Sequence, residues 1–169
     1  MIRPEDITII IPHLGGTNES EYAIEECIKS LNETSPDVKK IVVTNGLQCM
    51  NHGNIILQEQ GQCKAVNAAV ATTNTPWIFV TNDDMIFPPE WLDRLIGYPT
   101  ISRNVLYDDN IMCISPQLVE PSPGAPTFLV EFCGGAGGDF DKHKFLDYDL
   151  KHPRGNQMLR TGFNLPFLI

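Results

Sequence analysis

Residues 77–92 read WIFVTNDDMIFPPEWL, and this stretch decides both the fold and the candidate site. Its apolar beginning predicts a buried strand over Trp77–Thr81. The two prolines predict a helix start, with Pro88 or Pro89 at the first helical position, and the apolar residues that follow have helical spacing. Between strand and helix stands the polar triplet Asn82–Asp84. The stretch therefore predicts a strand, an acidic turn and a helix.

The preceding sequence repeats this alternation of strands and helices. Continuous apolar runs predict three further strands: Ile7–Ile11, Ile41–Thr44 and Ile55–Gln58. Asn18-Glu19-Ser20-Glu21 has the spacing of a capping box and predicts a helix that Ser35-Pro36 ends. Gly61 opens a second helix with small apolar residues along one face.

Strands that alternate with helices favour an α/β fold in which the four strands lie in one mostly parallel sheet. The later sequence is less regular. We expect strands at Ile111–Ser115 and Thr127–Cys133, and an irregular polar segment over Asp139–Gly155. No stretch has the length and composition of an interdomain linker, so we expect residues 1–169 to form one domain.

The composition excludes several classes of protein. The 169 residues include 12 Lys and Arg against 21 Asp and Glu, a formal net charge of -9, which argues against nucleic-acid binding through a broad basic face. We find no transmembrane segment of about 20 apolar residues and no signal-peptide core. The cysteines, 5 in number, lack Cys-x-x-Cys spacing and indicate neither a disulfide framework nor a zinc site. We therefore expect a cytoplasmic protein.

The acidic turn is the sharpest chemical signal. Asp83 and Asp84 follow a buried strand, and ligands of open α/β sheets bind where parallel strands end. Adjacent carboxylates ionise together more readily when a cation joins them, and Mg²⁺ or Mn²⁺ commonly uses one or two carboxylates plus substrate phosphates. The alternative is a solvated turn in which an aspartate caps the next helix.

Around this turn the sequence resembles family 2 glycosyltransferases of the GT-A fold. In that family a strand ends in a D-x-D-type motif, followed by a proline and a helix that often carries Trp-Leu, as residues 77–92 do. Ile7–Pro12 resembles the family's first strand and Val42–Gly46 its V-V-D-N-G turn. Gly61–Asn67 resembles its G-x-x-x-A-x-N helix start. Gly162–Ile169 resembles the segment before its acceptor-side helix.

The resemblance implies an inverting enzyme with a Rossmann-like sheet. Residues 1–100 would form the nucleotide-sugar-binding half, and residues 101–169 part of the acceptor-side half. The donor would be a nucleotide-diphosphate sugar, the acceptor a glycan or another molecule with a hydroxyl group, and the cofactor Mn²⁺ or Mg²⁺. Asp84 takes the more important metal position, with Asp83 beside it. The resemblance places these residues at the nucleotide sugar: Pro12, His13, Thr44, Asn45, Lys64, Asn67, Asn82 and Asp83.

Several of these residues also have structural interpretations. A lone histidine in a loop, such as His13, is often structural. Lys64 could reach a diphosphate or be solvated. Asn67 could contact the donor or hydrogen-bond the local backbone.

The sequence departs from the family pattern at three places. Thr44 stands where the family has an aspartate that contacts uracil, and Asn82 replaces the first aspartate of the D-x-D motif. The family's catalytic base normally follows the segment at which this sequence stops. We expect either a shortened chain or a base recruited from the polar segment. The candidates are Asp139, Asp141, Asp147 and Asp149.

Two other functions stay open at this point. A non-catalytic nucleotide-sugar-binding module, or a degenerate enzyme, would account for Asn82 and for the unplaced base. A sugar-phosphate nucleotidyltransferase would share the α/β fold and the acidic site. Such enzymes usually carry a basic residue in the loop after the first strand, and residues 12–17 contain none.

Overall fold

A five-stranded sheet forms the centre of the part of the chain that the structure describes. The structure is a computed structural model, and it describes residues 2–46, 54–57, 60–102, 141–151 and 167–168. The strands are β1 (Ile7–His13), β2 (Lys39–Asn45), β3 (Ile55–Leu57), β4 (Trp77–Val80) and β5 (Phe167–Leu168). Their order across the sheet is β3-β2-β1-β4-β5.

The first four strands are parallel, and β5 runs antiparallel to β4. The predicted parallel α/β sheet is therefore confirmed. β1 continues past its proline to His13, which the sequence did not predict. Ile10 O accepts the Thr81 N–H, so the backbone of Ile10 faces β4. The backbone nitrogen of Pro12, two residues later in the strand, faces β4 as well. The β4 ladder has ended there, and the missing N–H of Pro12 therefore breaks no strand pairing.

Helices cover both faces of the sheet. They are α1 (Asn18–Thr34), α2 (Gln62–Val70), α3 (Trp91–Ser102) and α4 (Lys142–Lys151). Ile7, Ile9 and Ile11 of β1 pack with buried residues of α1 and α3. Ile10 packs on the opposite face with Ala65 and Ala69 of α2. The uninterrupted apolar run of β1 is thus the consequence of burial on two faces.

Three predicted helix features are wrong. The N-cap of α1 is Thr17, not Asn18, because Thr17 and Ser20 exchange side-chain and backbone hydrogen bonds of 3.1 and 3.2 Å. α3 begins at Trp91, not at a proline, because the positive φ of Glu90, 62°, cannot continue a right-handed helix. The third is α4, which lies inside the segment expected to be irregular.

α4 begins on an aspartate cap and lies near α1. The Lys144 N–H donates to Asp141 Oδ1 at 3.0 Å. Lys142 Nζ lies 3.8 Å from a carboxylate oxygen of Glu26 and 3.7 Å from one of Glu33. The expected strands at residues 111–115 and 127–133 lie outside the described residues. Within the described ranges, none of the helices is both long and apolar enough to cross a membrane.

Candidate functional site

Parallel strands bring polar residues to one edge of the sheet. β1 ends at His13 and β2 at Asn45, while β4 ends at Val80 and is followed, after Thr81, by Asn82–Asp84. His13 and Thr44 are register partners across the β1–β2 ladder. The carboxyl ends of parallel strands meet at one edge, which is where open α/β sheets bind ligands. The fold therefore gathers residues that lie up to 71 positions apart in the sequence around one acidic turn.

His13 connects β1 to that turn. Its ring is fully buried, and Nδ1 lies 2.7 Å from Asp83 Oδ2, so the ring N–H donates to the carboxylate. Burial by itself lowers the pKa of the His13 imidazole. The hydrogen bond to Asp83 and the charges of Asp83 and Glu21 outweigh burial and raise that pKa above its usual 6.5. His13 is thus a buried cation-forming group paired with carboxylates.

Glu21 is a site residue that the sequence analysis missed. Its carboxylate is 10% exposed, and Oε1 lies 3.6 Å from His13 Nε2. The same oxygen accepts the Gly16 N–H at 3.3 Å. Position 21 extends the buried stripe of α1 through Ile24 and Leu31 by one more helical turn. A charged residue on the core-facing side of an amphipathic helix was the signal that could have identified it.

Asp84 differs from its neighbour. Asp84 is exposed as a residue, whereas the Asp83 side chain is only 24% exposed. Protein atoms around the Asp84 carboxyl reduce its hydration and, together with the adjacent charge of Asp83, raise the pKa of Asp84 above its usual 3.8. In the described part of the chain, no basic side chain forms an ion pair with it. Among the described residues, Asp84 therefore presents an accessible carboxylate without a cationic partner.

Asn82 is held from both faces of the sheet. Gln62 Nε2, at the start of α2, donates to Asn82 Oδ1 at 3.4 Å. On the other face, Cys27 Sγ of α1 lies 3.8 Å from the Asn82 carbonyl oxygen. Burial raises the pKa of the Cys27 thiol to about 12, so this cysteine stays a neutral packing residue. Neither contact was predicted from the sequence.

An aromatic cluster fixes the segment after the turn. Trp91 packs against Phe79 and Phe87, with ring centroids 5.0 and 4.6 Å apart. Its indole N–H donates to Ser35 Oγ at 2.8 Å, and the Phe87 N–H donates to Ser30 Oγ at 3.2 Å. These contacts attach the segment to α1. The acidic turn is thus anchored by β4 on one side and by the aromatic cluster on the other.

The expected nucleotide residues of the first two strands are buried. Pro12 lies within β1, and Thr44 and Asn45 at the end of β2 are each 2% exposed. Thr44 Oγ1 has no hydrogen-bond partner among the described residues. Gly46 follows with a φ of 105°, a conformation that favours glycine, and its N–H donates to Leu57 O at 2.9 Å. The bond to Leu57 thus extends the pairing of β2 with β3 by one residue, to Gly46.

A comparison with protein families matches residues 52–129 to the family described as Glycosyl transferase family 2. The chain resembles the family 2 glycosyltransferases. In the described residues, the matched segment contains β3, α2, β4, the acidic turn and α3. The parallel α/β sheet is consistent with the GT-A-type fold of these glycosyltransferases. A comparison with curated proteins gives no match.

The remaining glycosyltransferase site candidates lie on helices. Lys64 and Asn67 are exposed residues of α2, whose first residue, Gln62, reaches the acidic turn. The Asn67 carbonyl oxygen accepts the Ala71 N–H at 3.1 Å, which is a helix-end bond. The structure therefore brings the start of α2 to the site and leaves the side chains of Lys64 and Asn67 on an exposed surface.

The candidate bases have separate surroundings. Asp141 caps α4 through its hydrogen bond to the Lys144 N–H, so one of its oxygens has a structural partner. Asp147 is exposed on α4, which also contains Asp149. Asp139 lies outside the described residues.

The oxygen ligands at the turn suit a hard divalent cation. Within the described ranges, no group of three or more His, Cys, Asp and Glu side chains is arranged to hold a metal ion by itself. A glycosyltransferase site of the expected kind requires fewer protein ligands, because Mg²⁺ keeps bound waters and uses substrate phosphates beside one or two carboxylates. The exposed Asp84 carboxylate fits that limited role.

Proposed function

We propose that this protein is a glycosyltransferase that moves a sugar from a nucleotide-diphosphate sugar to an acceptor hydroxyl, with metal assistance and inversion. The observation that carries the proposal is the placement of Asp84. This exposed carboxylate stands at the carboxyl edge of a parallel sheet, inside the segment that matches the glycosyltransferase family. A rigid strand precedes it, and an anchored aromatic cluster follows it.

Asp84 would hold the cation, with Asp83 beside it. When bound, Mn²⁺ or Mg²⁺ supplies positive charge to the leaving diphosphate. The chain's formal net charge of -9 is consistent with this division of roles, because a bound cation then attracts the phosphates. Burial and the charge of Asp83 raise the pKa of Asp84, and a cation bound to Asp84 would offset the repulsion between the two carboxylates.

The ends of β1 and β2 would receive the nucleotide. Thr44 offers a neutral hydroxyl where the family has an aspartate, so we propose weak discrimination for uracil. Asn45, Asn82 and the first turn of α2 would complete the donor pocket. A carboxylate base would take the proton of the acceptor hydroxyl while that oxygen attacks the sugar from the side opposite the diphosphate. We assign this base to no described residue.

A non-catalytic nucleotide-sugar-binding protein is the second candidate. Asn82 replaces the first aspartate of the family motif, and its amide oxygen accepts a hydrogen bond from Gln62. Asp141 has a capping role, which weakens it as a catalytic base. A binding protein would retain the donor site without either group.

A panel of UDP-, GDP- and dTDP-sugars separates the two functions. We expect thermal stabilisation of the protein by at least one of these sugars, and we expect the shift to require Mn²⁺. Release of the nucleoside diphosphate in the presence of hydroxyl-bearing acceptors would establish transfer or hydrolysis. Metal-dependent stabilisation with no turnover on any acceptor would favour the binding protein. No stabilisation by any donor would contradict both functions.

A further inference from the structure

The two neighbouring aspartates of the acidic turn have different partners. Asp83 Oδ2 lies 2.7 Å from the buried Nδ1 of His13, whereas no basic side chain in the described residues pairs with Asp84. We propose that His13 is a positioning residue that holds Asp83 away from the cation, so that Asp84 is the sole aspartate ligand. This inference rests on the proposed function and assigns separate roles to the two carboxylates of that site.

The His13 ring is itself oriented from its far side. Glu21 Oε1 lies 3.6 Å from Nε2, and it also accepts the Gly16 N–H. The ring belongs to a central strand, and both it and the Glu21 carboxylate are buried or nearly so. This buried ring between two carboxylates has few alternative orientations, because rotation would break the Nδ1–Asp83 hydrogen bond and move Nε2 away from the charge of Glu21.

This arrangement restricts Asp83 more than Asp84. A short hydrogen bond from an imidazole N–H is stronger when the acceptor is charged. Moving Asp83 Oδ2 from His13 to a cation therefore costs the free energy of this bond. Within the described ranges, Asp84 has no ion-pair partner to give up when it coordinates. Without His13, both carboxylates would be available at once, and the affinity of a divalent cation rises with the number of charged oxygen ligands.

The test measures binding of Mn²⁺ alone to the full chain, by electron paramagnetic resonance of the free ion. We expect His13→Ala to bind Mn²⁺ roughly tenfold more tightly than the parent protein, because Asp83 is released as a second ligand. The gain should disappear in the His13→Ala, Asp83→Asn double variant. A merely structural role for His13 predicts no gain in cation affinity.

His13→Asn is the matched control. Its side-chain amide can donate to Asp83 as Nδ1 does, but it cannot carry the imidazolium charge. The positioning role predicts affinity close to that of the parent. A purely electrostatic role predicts the same gain in His13→Asn as in His13→Ala, and that result would overturn the proposal.

A second comparison covers the case in which His13→Ala fails to fold. In the otherwise unchanged chain, Asp83→Asn should weaken Mn²⁺ binding much less than Asp84→Asn does. Equal losses would contradict the proposal. If the parent and all variants fail to bind Mn²⁺ but still transfer sugar, the positioning role and the proposed metal assistance are wrong, while sugar transfer itself stands. If they neither bind Mn²⁺ nor bind and transfer nucleotide sugars, the proposed function is wrong as well.

Discussion

The two ends of β1 both bury polar side chains, but they satisfy them with different chemistry. At the amino end, Thr8 Oγ1 lies 2.8 Å from Thr73 Oγ1 and 2.7 Å from Thr75 Oγ1, and the latter two hydroxyls are 3.1 Å apart. These neutral groups hydrogen-bond to one another. At the carboxyl end, His13 pairs with the Asp83 carboxylate, and the exposed carboxylate of Asp84 stands beside this pair.

The difference separates a structural cluster from a candidate reactive one. Mutually bonded hydroxyls leave little capacity for a ligand, so we assign the threonine cluster to attachment of the segment before β4 to β1. Adjacent carboxylates repel each other and gain from a cation. Substitutions at the two ends should therefore have separable effects on stability and on ligand binding.

The largest effect is expected for Asp84→Asn. This change removes a charge with little change of shape, so the proposed transfer of sugar should fall by several orders of magnitude. Metal-dependent binding of the nucleotide sugar should be lost as well. The free energy of unfolding should not decrease, because the repulsion from Asp83 is relieved. A turnover assay, calorimetric titration and urea unfolding measure these three effects.

Asp93→Asn is the matched control for that substitution. Asp93 is an exposed aspartate in the first turn of α3. Its substitution removes the same charge at a position outside the acidic turn. We expect donor binding and turnover to match the parent protein. If the two variants behave alike, Asp84 is not a metal ligand and acts only within the turn.

The next effect is expected at the opposite end of β1. Thr8→Val removes a buried hydroxyl that serves two others, so the free energy of unfolding should fall by about 1–3 kcal/mol. Binding of Mn²⁺ and of donor should be unchanged. Thr72→Val is the control, since Thr72 is exposed and its hydroxyl bonds a carbonyl oxygen within its own turn. Equal destabilisation by both changes would remove any special role for the threonine cluster.

A smaller effect is expected from pH. The folded protein raises the pKa of His13 above 6.5, so protonation stabilises the folded state. This contribution is fully present below the pKa that His13 has in the unfolded chain. It is lost as the pH rises through the higher pKa of His13 in the folded protein. The free energy of unfolding should therefore decrease across that interval. His13→Asn should lack this component, which urea unfolding at a series of pH values would detect. Parallel pH profiles for the two proteins would be evidence against a charged His13.

The smallest effect is expected for Thr44→Val. Thr44 is 2% exposed, and its hydroxyl has no hydrogen-bond partner among the described residues. Replacing it with a methyl group should change the free energy of unfolding by less than about 0.5 kcal/mol. A larger loss for Thr8→Val than for Thr44→Val would show that the hydrogen-bond partners of a buried threonine decide its contribution to the free energy of unfolding. A loss of about 1 kcal/mol or more, the value of one hydrogen bond, would indicate a partner for Thr44 Oγ1.

The parallel sheet could be predicted because its central strand is buried on both faces and is therefore almost continuously apolar. The apolar runs Ile7–Ile11 and Trp77–Val80 were sufficient to predict β1 and β4. α4 could not be predicted, since its apolar residues are few and its cap, Asp141, was considered only as a possible base. The start of α3 was misplaced because the sequence does not reveal the left-handed conformation of Glu90.

The site was predicted as a set of residues but not as a set of contacts. His13, Asp83 and Asp84 were all candidates, yet the His13–Asp83 bond joins residues 70 positions apart and depends on strand register. Glu21 was missed because it was considered only as part of a capping box. Its position on the buried face of α1 places it beside His13 only once α1 packs on β1, and the sequence does not show that packing.

The central position of β1 also affects how the chain can fold as it is synthesised. β1 pairs with β2 on one side and with β4 on the other, so one edge of this mostly apolar strand stays open until Trp77–Val80 has left the ribosome. An exposed apolar edge is a template for pairing with other chains. Closure of that edge brings Asp83 to His13, so the step that protects the nascent chain from aggregation also assembles its acidic turn.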